Sequence, residues 1–237
     1  MSGKNYIFAD VGTSEEFVEI FAGEFMELVD ATNIHGDERK DLKESLSTIL
    51  TDGLMPAFDD LRMIRSSIGK RVPEMNRRLR YEELAGKLWF TYKDLMPKAA
   101  AQIGFDLGFL FQSEATFERG LLDFQAKHPN LILNVPELLK KQRGSWHQDL
   151  YRFRNNFIEH RSEQRKKFDS FYRPEWAEAV FDSVWRTMGE LFPAFLESRF
   201  PPMSSIRRIP ESERQATDGR RFQFFLCEPV EGSLDQT

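Results

Sequence analysis

The sequence predicts an all-α protein: a helical bundle of six or seven helices carrying a short C-terminal β-hairpin or irregular arm. Three observations predict it. Apolar residues recur at steps of three and four through most of the chain, which is the spacing of one buried helix face. Glycines and prolines interrupt those stripes at Gly36, Pro56, Pro73, Pro97, Pro136 and Pro174, where helices stop or start. Only beyond Phe200-Pro201-Pro202 does the pattern change to short alternating runs.

The first helix spans residues 13–33. Thr13 and Glu16 make a capping box, and Phe17, Phe21, Phe25 and Leu28 form its stripe. His35-Gly36 stops it. A second helix from Asp37 to Gly53 turns Leu42, Leu46, Ile49 and Leu50 inward. Pro56 opens a third, with Phe58, Leu61, Ile64 and Ile68 inward, and Gly69 and Pro73 mark the next break. The fourth helix follows Pro73 with Leu84, Leu88, Tyr92 and Leu95 on its apolar face. Pro97 starts a fifth, in which Ile103, Leu107, Leu110, Phe117, Leu121 and Phe124 continue one stripe for about six turns. Gly104 and Gly108, one turn apart, read as a packing device on it.

Residues 129–135 form an extended connection. Asn134 and Glu137 resemble a cap, and Pro136 suits the first helical position. The next helix covers about 136–171 with a break near Gly144. Pro174 opens the last one, with Val180, Val184, Met188, Leu191 and Phe195 inward and a kink at Pro193. Ser205 to Ile209 and Arg221 to Leu226, separated by a loop containing Asp218-Gly219, read as the hairpin or arm, and residues 228–237 as a frayed tail. The expected organisation is one helical domain, 1–203, with an appendage and tail, 204–237. A split near residue 130 is the alternative.

Composition excludes several classes. With 41% hydrophobic and 30% charged residues, the 237-residue chain is an ordinary globular sequence. One cysteine, Cys227, allows no internal disulfide and fits a reducing, cytoplasmic setting. No signal-peptide core and no membrane span are expected. The four histidines lack the glutamate three residues earlier that helical di-iron sites use, and there is no zinc cluster, P-loop or nucleophile elbow. The expectation is therefore no metal and no cofactor. Asp59-Asp60 reads as a solvent-facing pair, because neighbours on a helix diverge by about 100°. His147 reads as a surface or interface residue.

The charge is unevenly spread. Residues 1–60 carry a net −10, residues 61–90 a net +5 and residues 140–173 a net +6. Arg77, Arg78 and Arg80 occupy the first turns of the fourth helix, where the helix dipole disfavours cations, so they call for an anionic partner: protein carboxylates or phosphate. Basic segments of this kind are the footprint of polyanion binding, or solvated faces that pair with the acidic N-terminal helices.

The second basic segment contains the stretch most suited to chemistry, Leu-Tyr-Arg-Phe-Arg-Asn-Asn-Phe-Ile-Glu-His from Leu150 to His160. Trp146, Leu150, Phe153 and Phe157 form its stripe. On an α-helix Arg154 lies about 60° to one side of Phe157 and His160 about 60° to the other, with Arg161 about 40° off on the Arg154 side. A permanent cation and a group titrating near neutrality thus border a surface that must be covered. The same placement also describes two residues that finish a packed interface.

Arg154-Asn155 followed by His160 resembles the motif of the HEPN superfamily of helical nucleotide-binding and ribonuclease domains, an arginine, a polar residue and a histidine four to six positions further on. The resemblance covers the helix around the motif. It implies metal-independent RNA cleavage, with His160 as general base or acid, Arg154 holding the scissile phosphate and Asn155 assisting. It also implies a toxin or defence setting with a protein antitoxin or regulator, and a homodimer whose motif helices share one cleft. Arg77, Arg78, Arg80 and Arg161 would contact RNA. The alternative is a non-catalytic helical protein–protein interaction domain.

Overall fold

The computed structural model describes residues 6–10, 13–32, 34–131, 135–155, 171–200, 204–208, 216–217 and 220–229. In chain order the elements are β1 (Tyr6–Asp10), α1 (Glu16–Glu19), α2 (Met26–Ala31), α3 (Gly36–Thr48), α4 (Met55–Ser67), α5 (Glu74–Phe90), α6 (Met96–Gln102), α7 (Glu114–Lys127), α8 (Val135–Gln142), α9 (Gln148–Phe153), α10 (Pro174–Arg199), β2 (Ser204–Arg208), β3 (Ala216–Thr217) and β4 (Arg220–Pro229). Helix dominates, as the periodicity predicts. The elements group into two compact units, one of residues 1–47, 97–136 and 186–237, the other of residues 48–96 and 137–185.

In the first unit, α1 and α2 are joined by a π-helical turn, Ile20–Phe25, and Phe17, Phe21, Phe25 and Leu28 are all buried. The helix stops at Thr32 rather than at Gly36. Thr32 is extended (ψ 162°) and its hydroxyl donates to the Val29 carbonyl at 2.7 Å. Gly36 takes φ +58° and opens α3 instead. The expected six-turn fifth helix is interrupted. α6 ends at Gln102, Gly104 takes φ +89°, a 3-10 turn covers Gly108–Phe111, and α7 begins after Ser113. Ile103, Leu107, Leu110, Phe117, Leu121 and Phe124 are nonetheless all buried. Neither glycine packs a helix: Gly108 N–H donates to the Asp106 carboxylate at 2.8 Å. The close approach belongs to Gly120, where a Cβ would come within 2.8 Å of Phe109 Cγ. Phe105 stacks on Phe195 at 4.1 Å, and His128 packs on Phe105 and Phe124 at 4.5 and 4.8 Å.

This unit also holds an antiparallel sheet of order β1-β4-β2, with β3 on β4. Tyr6 pairs with Cys227 and Asp10 with Arg221, with a register shift between Ile7 and Ala9. The N-terminal strand has no counterpart in the sequence reading.

In the second unit, Pro56 follows a widened turn rather than a loop. Ile49–Leu54 is π-helical and leads directly into α4, so Pro56 sits inside a helical run and does not open one after a break. Met55 N–H donates five residues back, to the Leu50 carbonyl. Proline has no N–H and its ring crowds the carbonyl four residues back, and the wider turn relieves both. The same device precedes Pro97: Thr91–Leu95 is π-helical and Met96 N–H donates to Thr91. The two turns meet at Gly53, where a Cβ would lie 3.0 Å from Thr91 Cγ2. Phe58, Leu61 and Ile64 face inward as expected, but Ile68 is exposed because it leaves α4 with ψ 128°. On α5, Leu84, Leu88 and Tyr92 are buried while Leu95 is half-buried. The helix predicted from 136 breaks at Ser145 (φ −122°, ψ −116°), next to Gly144, and is described as far as Asn155. α10, which belongs to the first unit from residue 186 onward, runs unbroken through Pro193, and Val180, Val184, Met188, Leu191 and Phe195 are buried.

Candidate functional site

α5 and the Arg143–Phe153 segment lie antiparallel. Tyr92 meets Trp146 and His147 at 4.7 and 5.4 Å, and Trp89, one turn earlier, meets His147 and Tyr151, both at 5.7 Å. Tyr81, further back, meets Tyr172 at 5.8 Å, and Tyr172 meets Phe153 at 5.5 Å. Leu150 and Phe153 are buried and Trp146 half-buried, so the stripe faces inward where it is described. Phe157 lies outside the described residues.

Arg154 extends this ladder by one position. It is half-buried, and its guanidinium carbon lies 5.8 Å from the centroid of Trp89. Lys93 Nζ lies 5.9 Å from the same centroid, so one indole gathers two cations. Such contacts contribute about 0.5–1 kcal/mol and restrict the long side chain. Arg154 Nη1 donates to Asn155 Oδ1 at 3.5 Å, which brings Asn155 back toward the arginine although ideal geometry turns it away from the stripe. His160 and Arg161 lie outside the described residues.

His147 corrects an expectation. It is 4% exposed, packed against Trp89, Tyr92 and Trp146. Burial, and then the Arg143 guanidinium, lower its pKa to about 4, so the ring is neutral at pH 7. The helix breaks at Ser145, whose hydroxyl donates to the Lys141 carbonyl at 2.8 Å, and Trp89 and Tyr92 of α5 cover His147. Arg143 is buried with it.

Of the three arginines at the start of α5, two have carboxylate partners. Arg78 meets Glu74 at 2.6 Å and lies 4.9 Å from the Tyr172 centroid. Arg80 meets Glu83 at 2.7 Å and Asp60 at 3.3 Å. Arg77 is exposed and, with Lys70 and Arg80, lines a cavity of about 250 Å³. Asp59 faces solvent as expected, but Asp60 does not: it is buried and accepts from Lys87 at 2.5 Å. Burial raises its pKa above the ordinary value although the Lys87 hydrogen bond pulls it down. Its position among Ala57, Leu61 and Ile64 is the signal the pairwise reading passes over.

Among the described residues no group of three His, Cys, Asp or Glu side chains can hold a metal ion, and no helix is long and apolar enough to cross a membrane. No protein-family model, curated protein or solved structure matches the chain.

Proposed function

We propose that the protein is an RNA-binding domain of HEPN type that cleaves RNA without a metal ion. In this reading the ribose 2′-oxygen attacks the adjacent phosphorus, the 5′-oxygen leaves, and the products end in a 2′,3′-cyclic phosphate and a 5′-hydroxyl. His160 removes the 2′ proton or protonates the leaving oxygen, since an imidazole is the side chain suited to exchanging protons near neutral pH. Arg154 binds the phosphate bidentately and offsets its growing charge, and Asn155 assists it. The supporting observation is that Arg154, half-buried, is set against the Trp89 ring on a helix whose first turns carry Arg77. Arg77 and Arg161 then contact the RNA backbone, with Arg78 and Arg80 adding to the field from within their ion pairs.

The proposal extends to a cytoplasmic homodimer joined through the motif helix, held in check by a protein antitoxin or regulator in a toxin or defence system. It also extends to a C-terminal arm over 205–226 built as a β-hairpin on the alternation of its two runs. Incubation with mixed RNA in EDTA tests the core of it. Cyclic-phosphate ends that Arg154→Ala abolishes are expected; intact RNA, or cleavage that requires a divalent ion, overturns the ribonuclease reading.

The burial of Arg143 and His147 on the same segment favours a second reading, in which Arg154 and His160 also serve packing and the domain binds another protein. Under it, Arg154→Ala lowers the melting temperature and no RNA binds.

A further inference from the structure

The turn between α4 and α5 is ordered and apolar on its outside. Gly69 takes φ +73°, which lets the chain reverse. Lys70 N–H donates to the Ser67 carbonyl and Val72 N–H to the Lys70 carbonyl, so the reversal is fixed by its own backbone. It presents Met63, Ile68, Met75 and Leu79, exposed by 50, 60, 68 and 48%. Eight large hydrophobic side chains are exposed among the described residues, and these four lie within seventeen consecutive positions. Scattered singly they would need no explanation; here Met63 lies on α4, Ile68 in the turn and Met75 and Leu79 at the start of α5, so one helical hairpin carries half of them.

The charge of the turn is one-sided. Residues 62–80 hold seven Lys and Arg against one acid, Glu74. Arg62, Arg65, Arg78 and Arg80 pair with Asp59, Glu178, Glu74 and Glu83. Of the four cations between Ile68 and Leu79, Lys70, Arg71 and Arg77 make no ion pair among the described residues, and Arg78 pairs with Glu74. The cavity beside them, about 250 Å³, has Lys70, Arg77 and Arg80 on its polar wall and Met63, Ile64 and Val72 on its apolar wall. The N-terminal end of α5 adds positive potential there. The hydroxyls of Ser66 and Ser67 satisfy the carbonyls of Met63 and Ile64, which reduces the opposing field from the end of α4.

We propose that this turn docks the protein on an anionic lipid surface. The phosphate of a headgroup enters the Lys70–Arg77–Arg80 cavity, and Ile68 and Met75 enter the acyl boundary. The aliphatic character decides against single-stranded RNA as the occupant of the turn, because such binding uses aromatic platforms and positions 63–79 contain no Phe, Tyr or Trp. Aliphatic side chains interleaved with cations fit a peripheral interfacial contact. The inference stands apart from the ribonuclease reading: Arg77 and Arg80 serve both, while Lys70, Arg71, Ile68 and Met75 serve only this one.

Flotation of the full chain with lipid vesicles tests it. Vesicles of phosphatidylcholine with about one phosphatidylserine in three should carry the protein, pure phosphatidylcholine should not, and added salt should release it. Ile68→Ser with Met75→Ser leaves the charge unchanged and should weaken partitioning about tenfold or more. Lys70→Ser with Arg71→Ser should weaken it by a similar or larger factor, about fivefold per cation. Both pairs are on the surface, so an unchanged melting temperature verifies the fold. No flotation on anionic vesicles, equal flotation on neutral ones, or flotation that Ile68→Ser/Met75→Ser leaves intact overturns the proposal. The last result would identify a purely electrostatic polyanion surface.

Discussion

Arg154 and Trp89 meet at the edge of the candidate site: the guanidinium carbon lies 5.8 Å from the indole centroid, on the side of the helix where Tyr151 meets the same ring. The pair couples a fully packed aromatic to a half-exposed cation, and the two partners should respond differently to mutation. Arg154→Ala should cost about 0.5–1 kcal/mol of stability, the value of an exposed cation–π contact. It should lower RNA cleavage by two orders of magnitude or more if the guanidinium carries transition-state charge. Arg154→Lys should keep the stability and recover little of the cleavage, because the planar fork is lost. Thermal melts and single-turnover cleavage separate the effects. A severe drop in melting temperature with Arg154→Ala would instead assign the residue to packing.

His147 predicts an acid limb in the stability profile. Its pKa falls from the ordinary 6.5 to about 4 in the folded protein, because burial first and Arg143 second disfavour the imidazolium. The fold therefore excludes a proton that the unfolded chain accepts. Stability from this exclusion is fully present above pH 6.5 and is lost as pH falls from there to about 4, the loss reaching about 3 kcal/mol at the bottom of that window. Denaturant melts of wild type and His147→Phe across this range should converge toward low pH. Parallel curves would refute the assignment.

Gly53 and Thr91 bring the π-helical turns Ile49–Leu54 and Thr91–Leu95 into contact. Thr91 is buried and its hydroxyl donates to the Lys87 carbonyl at 2.8 Å, so it cannot swing aside freely. Gly53→Ala should destabilise by about 1–3 kcal/mol through overpacking. Thr91→Ala, introduced second, should restore part of that loss, giving a coupling of about 1 kcal/mol in a double-mutant cycle. Strict additivity would show that the turns do not depend on the contact.

Most of the apolar core was legible in the sequence, and so was the break near Gly144, but several other helix breaks were not. Ile103, Leu110, Phe117 and Phe124 reach the core although Gly104 stops the helix expected to carry them, because their spacing also fits two short helices linked by a 3-10 turn. Pro56 and Pro97 read as starts because proline normally ends what precedes it, and only the backbone shows the widened turns that accommodate them. In the site, Arg154 lies where heptad geometry puts it. His147, one heptad earlier on the same side, is buried because Trp89 and Tyr92 of the antiparallel α5 cover it, a contact that the pattern of its own helix does not show. Asp60 escapes the sequence reading because adjacency to Asp59 outweighs its place on an apolar face. The pairing of the first strand with β4 is a contact between the two ends of the chain, which local periodicity does not encode.

The composite nature of the proposed site is a further prediction. On an α-helix, positions six apart are separated by about 9 Å along the axis and about 120° around it. If the helix continues so, Arg154 and His160 of one chain would approach a single phosphate from different directions, and two motif helices around a twofold axis would bring one of each together. A twofold interface is also the commonest oligomeric arrangement. Heterodimers of wild type and Arg154→Ala/His160→Ala, purified through two tags, separate the alternatives. A site complete within each chain keeps about half the activity per dimer, and a shared cleft loses nearly all of it. Retention of half, or cleavage by a monomer at working concentration, would reject the shared cleft and leave the single-chain ribonuclease to be judged on its products alone.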